Sequence, residues 1–363
     1  YSVFEQEFRL AYENSRTNAV IGAFYTNIDE DSDQAAISRN LNGLPPNAFL
    51  ESRIIETRKT ENYALFGEIE HSFAPNWRVI AGARYDVEEF AETSLDTLEI
   101  NNGGTVTPLP SNTEPNTGNT YEAFLPKLGV VYDFDTTRSL GLTYQRGYRA
   151  GGSGVNAGSL TAGGALETFS FEPEFTDTVE LAFRSEFNGG RTVFNANLFY
   201  TEYDNIQIID QNPLNTRDIK IVNGGAAQLW GLEADFRTEI TPDLQVYASA
   251  AFTETKYGSF DRRGVDIGGN EFPGAPKVSA TFGAEYFFRN GWRVAGDVSY
   301  TGASFANPEN TVRNDEYWLA NAQVSYAVSD RVNIVGYVRN LFDEESSFLG
   351  PPREIGFFLD TRF

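Results

Sequence analysis

The feature that most restricts this chain is a regular beat. Segments of about ten to sixteen residues alternate apolar and polar side chains, and the connections between them alternate short and long. Around residue 180, Val179, Leu181, Phe183 and Phe187 share one face, with Thr178, Glu180, Arg184 and Glu186 on the other. The next segment sets Phe194, Ala196, Leu198 and Tyr200 against Asn195 and Asn197. Farther on, Leu244, Val246, Ala248, Ala250 and Phe252 oppose Gln245, Ser249 and Thr253. Successive side chains of a strand point to opposite sides, so each segment reads as a strand with one apolar and one polar face.

Fifteen strands are predicted, at 3–13, 18–28, 57–73, 77–91, 119–134, 138–149, 174–187, 191–203, 219–239, 244–256, 277–288, 292–302, 316–328, 331–340 and 354–363. Short turns such as Ala74-Pro75-Asn76, Asn188-Gly189-Gly190 and Arg289-Asn290-Gly291 carry the Gly, Pro and Asn that tight turns need. Long polar loops are predicted at 29–56, 92–118, 150–173, 204–218, 257–276, 303–315 and 341–353. All short turns then fall on one rim and all long loops on the other, the form of an antiparallel up-and-down transmembrane β-barrel. Aromatic residues crowd the strand ends (Trp77, Tyr85, Tyr132, Tyr200, Trp292, Tyr300 and Trp318 among them), as two interfacial girdles require. A soluble β-sandwich is the rival, but its Greek-key connections need not alternate so strictly.

Composition excludes several functions. There is no Cys, hence no thiolate site and no thiol nucleophile. The single His, His71, falls on the lipid-side face near a short turn and is a poor general base, so no enzyme is expected. A net charge of −23 argues against nucleic acid. Asp29-Glu30-Asp31-Ser32-Asp33 has Ca²⁺-like spacing, but Gln34 and Asn40 replace the Gly and Glu of an EF-hand loop, so a solvated acidic loop is expected. Gly147 to Gly154 does not lead into a helix, which rules against a phosphate cradle. No metal or other cofactor is expected. The chain contains no Met, so it is expected to be a mature product or a fragment.

Several segments resemble those of one family, the TonB-dependent outer-membrane receptors. They are Gly147-Tyr148-Arg149-Ala150-Gly151-Gly152, Glu172-Pro173-Glu174, Asn205-Ile206-Gln207, Asn223-Gly224 with Gly231-Leu232-Glu233, and Asn340-Leu341-Phe342-Asp343. The final strand, ending on Phe363, resembles the C-terminal strand of Gram-negative outer-membrane proteins, whose last Phe belongs to the assembly signal. The motifs fall in the family's order over the whole chain. The resemblance implies a location in the outer membrane of a Gram-negative bacterium. It implies energised uptake of a scarce nutrient such as a ferric siderophore, vitamin or glycan. The implied partners are outer-membrane lipid, the barrel-assembly machinery, a small-molecule ligand such as a metal chelate, and the TonB complex, which pairs with an N-terminal segment.

The family's barrel has 22 strands around a plug domain. Residues 1–363 are therefore expected to be one partial barrel region, lacking the plug and the first strands. A passive porin of 14 to 16 strands that closes by itself and a soluble β-rich binding protein remain as alternatives. Tyr148 and Arg149, at an external strand end, are the candidate ligand contacts.

Overall fold

The computed structural model describes residues 1–39, 45, 47–109, 112–156, 167–212, 214–345, 350 and 352–361. The wall consists of β1 (Ser2–Glu13), β2 (Thr17–Arg39), β3 (Ala48–Ala74), β4 (Trp77–Asn102), β6 (Asn112–Asp133), β7 (Arg138–Arg149), β10 (Glu174–Phe187), β11 (Thr192–Asp204), β14 (Ala227–Thr241), β15 (Leu244–Tyr257), β18 (Val278–Phe287), β19 (Trp292–Thr301), β22 (Tyr317–Ser329), β23 (Val332–Arg339) and β24 (Glu354–Thr361). Each pairs antiparallel with its successor in this order, giving the fifteen wall strands expected. A short strand, β5 (Thr105–Pro108), extends the wall beside β4. Four further hairpins rise from the long connections: β8 (Gly152–Asn156) with β9 (Glu167–Phe171), β12 (Gln207–Asn212) with β13 (Asn215–Asn223), β16 (Asp261–Arg262) with β17 (Val265–Asp266), and β20 (Ser304–Phe305) with β21 (Arg313–Asn314). Among the described residues β1 pairs only with β2 and β24 only with β23, so the self-closing small barrel is not formed here.

The register shows why the alternation matters. Val130, Leu142, Leu181, Leu198, Leu232, Phe252 and Val278 are successive cross-strand partners, forming one apolar row across seven strands. Leu142, Leu181, Leu198, Leu232 and Val278 are all exposed to the surroundings. Large apolar side chains left uncovered over a whole sheet face are intolerable in water and required in lipid. Aromatic contacts bound this face. On the turn side, Phe73, Trp77, Tyr132, Phe134, Phe183 and Phe194 form a chain with ring centroids 4.8–6.5 Å apart. On the loop side lie Phe4–Tyr25–Tyr63, Trp230–Phe252 and Tyr300–Trp318. His71 stays at the turn rim, 2.9 Å from Thr17 Oγ1.

The other face is polar and cross-linked. Arg78 bridges Asp133 at 2.8 Å and Glu70 at 2.9 Å, Lys127 reaches Glu68 at 2.8 Å, and Arg184 donates to Asn197 at 2.6 Å. Asn195 donates to Asp235 at 3.0 Å, and Asn321 to Asp297 at 2.8 Å. Many of these polar side chains therefore satisfy one another across strands.

Aromatic rings on this face lie over glycines directly opposite them: Phe66 on Gly22, Phe199 on Gly231, Tyr247 on Gly283 and Tyr337 on Gly356. A β-carbon at Gly231 would sit 2.5 Å from the Phe252 carbonyl oxygen and 2.6 Å from Phe199 Cζ. Gly231→Ala is therefore expected to destabilise the wall by about 1–3 kcal/mol through overpacking. Thermal unfolding in detergent, followed by circular dichroism, checks this.

Three expectations are corrected. Residues 29–56 and 92–118 were expected as polar loops. Instead their described parts extend β2, β3, β4 and β6 well beyond the apolar band. At about 3.3 Å per residue the 26 residues of β4 reach roughly 85 Å, far more than the ~25 Å lipid-facing band. The acidic run Asp29–Asp33 thus lies in a strand. There Asp33 is paired with Arg53, Asp31 accepts from Thr57 at 3.0 Å, and Glu30 is 3.8 Å from Arg58.

The third correction concerns 219–239, expected as one strand. It breaks at Gly224-Gly225, where Gly225 adopts φ 73°. The Ile206 amide donates to the Gly225 carbonyl, and the Gly224 amide to the Ile206 carbonyl. The chain leaves one sheet there and enters another, which only glycine does without strain. The terminal Phe363 lies outside the described residues.

Candidate functional site

The loop rim gathers the chemistry. Its first layer is a knot at the tops of β7, β10, β11 and β14. The Gln207 side-chain amide donates to the carbonyls of Ala150 at 2.8 Å and Glu172 at 3.2 Å, and its backbone amide donates to Glu174 at 2.6 Å. Asn223 Nδ2 donates to the Glu172 carbonyl at 2.9 Å and the Asn205 carbonyl at 3.0 Å, while its Oδ1 accepts from the Glu172 amide at 2.8 Å. Four motifs that are far apart in the sequence thus hydrogen-bond to one another. Their residue types are those able to satisfy backbone groups where ladders end. Asn340 plays the same part at the top of β23. It is buried at φ 47°, its Nδ2 donates to the Glu344 carbonyl at 2.9 Å and its Oδ1 accepts from the Glu344 amide at 2.8 Å. Asn223→Ala is expected to cost about 0.5–1.5 kcal/mol by removing the side chain that satisfies the Glu172 and Asn205 backbone groups. Faster amide exchange at 205–207 and 172–174, with the wall unchanged, would show it.

The two predicted contacts sit beside this knot. Tyr148 packs against Phe175, ring centroids 5.5 Å apart, and Arg146 stacks over the same Phe175 ring at 4.6 Å. The Tyr148 hydroxyl is buried without a hydrogen-bond partner among the described residues. Arg149 is exposed at the end of β7, opposite Glu174. The structure brings Tyr148 into a packed layer and leaves Arg149 at the surface.

The second layer was not anticipated. Ile206, Ile208, Ala227, Tyr257 and Ile267 form a buried apolar core where the loops meet the upper ends of the wall strands, with Tyr203, Val222, Phe260 and Phe272 packed on it. Ile267 is wholly enclosed, at 0% exposure. Beside this core lies a charged network. Arg262, only 8% exposed, is paired with Glu309, lies 3.2 Å from Asp210, and reaches the carbonyls of Gln211 at 3.2 Å and Ile209 at 3.4 Å. Arg263 donates to Asp210 at 2.9 Å and holds Asp218 in a two-pronged contact at 2.9 and 3.0 Å. Asp218 also accepts from Asn212 and Asn156, each at 2.9 Å. Arg263, then Asn212 and Asn156, hold its carboxyl well below the usual carboxylate range. The only sequence signal was the Arg262-Arg263-Gly264 turn in a polar loop, which names no partner.

No group of three or more His, Cys, Asp or Glu side chains able to hold a metal occurs among the described residues. What the rim offers is a fixed, polar and aromatic surface above a lipid-facing wall.

The family model described as TonB dependent receptor-like, beta-barrel, matches residues 1–341. The chain belongs to this family. As a TonB-dependent receptor barrel, its wall lies in the bacterial outer membrane. The chain is 23% identical over 227 residues to the catecholate siderophore receptor Fiu of Escherichia coli K12, covering 60% of this chain and 29% of that protein. It is 23% identical over 259 residues to the ferripyoverdine receptor of Pseudomonas aeruginosa, covering 64% of this chain and 30% of that one. The matches thus span less than a third of the length of these curated relatives. Among solved structures, the ferric yersiniabactin uptake receptor FyuA of Yersinia pestis superposes with a TM-score of 0.70 at 16% identity, covering 98% of this chain and 51% of that one. That superposition shows that the fifteen-strand wall shares its fold.

Proposed function

We propose that this chain forms barrel wall and external loops of a receptor for energised uptake of a ferric siderophore, as part of a longer protein with a plug. The observation that carries this reading is the pairing of a lipid-facing wall with a fixed external loop assembly in a TonB-dependent receptor barrel. The names of the relatives, which are receptors for catecholate siderophores, ferripyoverdine and ferric yersiniabactin, support a ferric chelate over a vitamin or glycan. Energy would come from the TonB complex through a plug segment, and lipid and the assembly machinery would be partners of the wall. Arg149, cationic and exposed at the rim, suits an anionic chelate, and Tyr148 would support it from the layer below.

The test uses cells expressing the full-length protein under iron limitation. Uptake of radiolabelled iron as catecholate, hydroxamate and phenolate chelates would be measured with and without the gene, and with a protonophore. Gene-dependent, protonophore-sensitive uptake of one class is expected, reduced on the order of tenfold by Arg149→Ala if about 1.4 kcal/mol of binding is lost. Uptake that ignores the protonophore sinks the energised reading in favour of a passive channel.

A further inference from the structure

We infer that Arg262 is the positioning residue of the external face, fastening three separate hairpins, β12–β13, β16–β17 and β20–β21, into one body, to which Arg263 ties β8–β9 through Asp218. The inference deepens the receptor reading by naming what holds its ligand-facing loops. The hairpins β12–β13, β16–β17, β20–β21 and β8–β9 have strands of only two to nine residues. Isolated two-stranded hairpins of this size are marginal in water. Each needs support from outside itself, and the charged network supplies it from other loops. Arg262 stands on β16, yet its partners are Asp210 and two carbonyls on β12, and Glu309 in the β20–β21 connection. Arg263 extends the link to Asp218 on β13, and Asp218 takes in Asn156 of β8. Glu309 is fixed in turn by Asn307 at 2.8 Å, and Asn270 donates to the Pro308 carbonyl at 2.9 Å.

The arrangement needs arginine. A planar fork can donate to the Glu309 carboxylate and two carbonyls at once while its charge lies beside the Asp210 carboxylate, and an ammonium cannot reach all of them. Burial makes the link conditional on every member. Asp210 is buried together with Arg262, so removing the guanidinium leaves an anion with less compensation in a poorly solvated place. The loops should therefore separate together, because the loss is felt at once at Asp210 and the flanking carbonyls of β12 and at Glu309 in the β20–β21 connection.

Hydrogen–deuterium exchange on the full-length protein in detergent tests this without any ligand, so its failure is distinguishable from failure of the receptor reading. In R262M, exchange is expected to rise on the order of tenfold together in peptides from 207–212, 218–223, 257–270 and 303–315, with wall peptides from 178–186 and 246–252 unchanged. R262K keeps the charge but not the fork and is expected to recover less than half of the lost protection. R313M, which alters an exposed arginine on β21, is the control and should behave as wild type. If R262M does not assemble, E309Q serves instead, with a coupled rise in 303–315 and 207–212 expected. A rise confined to 257–270 in R262M, or to 303–315 in E309Q, or full recovery in R262K, overturns the proposal.

Discussion

Replacing Leu181 by arginine is expected to destabilise the folded wall by about 2–4 kcal/mol, the cost of a cation near the middle of a lipid-facing strand. Leu181 lies within the apolar row, partnered by Leu142 on one side and Leu198 on the other, and it is exposed. No water reaches that depth to solvate a guanidinium, and no carboxylate shares its face nearby: the adjacent Glu180 points to the other side. The matched control is Glu180→Arg, one residue away on the wet side. Charge there stays hydrated, and its effect should remain within about 1 kcal/mol. Urea titration of the full-length protein folded into lipid vesicles reads both. Equal effects for the two variants would mean that the faces are assigned wrongly, and the membrane orientation would fall with them.

The contrast between these neighbours shows why so much of the wall was legible in the sequence. Inside the lipid band hydrophobicity differs sharply between the faces, so a period of two is visible in residues such as Val179, Leu181 and Phe183. Beyond the band both faces meet water and the contrast disappears. Asp29 to Arg39 is strand, but Asp-Glu-Asp-Ser-Asp-Gln carries no apolar beat, and the segment reads as a loop. The knot at the strand tops was half legible. Its Asn, Gln, Gly and Pro residues stood out as motifs, but their mutual hydrogen bonds, such as Gln207 to Ala150 across 57 positions, did not. The charged network was illegible. Arg262 and Glu309 are 47 positions apart in polar loops of similar composition, and nothing in either segment names the other. Local pattern reports which face a residue is on. It does not report what tertiary partner a loop finds.

Ile267 offers the complementary experiment on the external layer. It lies in the connection after β17, wholly enclosed among Ile206, Ile208, Ala227 and Tyr257, its amide bonded to the Phe260 carbonyl and its carbonyl to the Asn270 amide. Truncation to alanine removes buried methylene contacts and leaves a cavity that the crossing backbones around it cannot fully close. The expected cost is about 2–5 kcal/mol. That cost should appear locally, because among the described residues this core meets the wall at the upper ends of β11, β14 and β15, through Tyr203, Ala227 and Tyr257. Limited proteolysis of Ile267→Ala should cut within 207–223 and 257–276 under conditions that leave wild type intact. The heat-modifiable mobility of the folded barrel on gels should be retained. Leu181→Arg should do the reverse, weakening the barrel before its loops. If Ile267→Ala instead lost the folded barrel band as readily as Leu181→Arg does, the loop assembly and the wall would be a single cooperative unit. The external body could not then open while the wall beneath it stays closed.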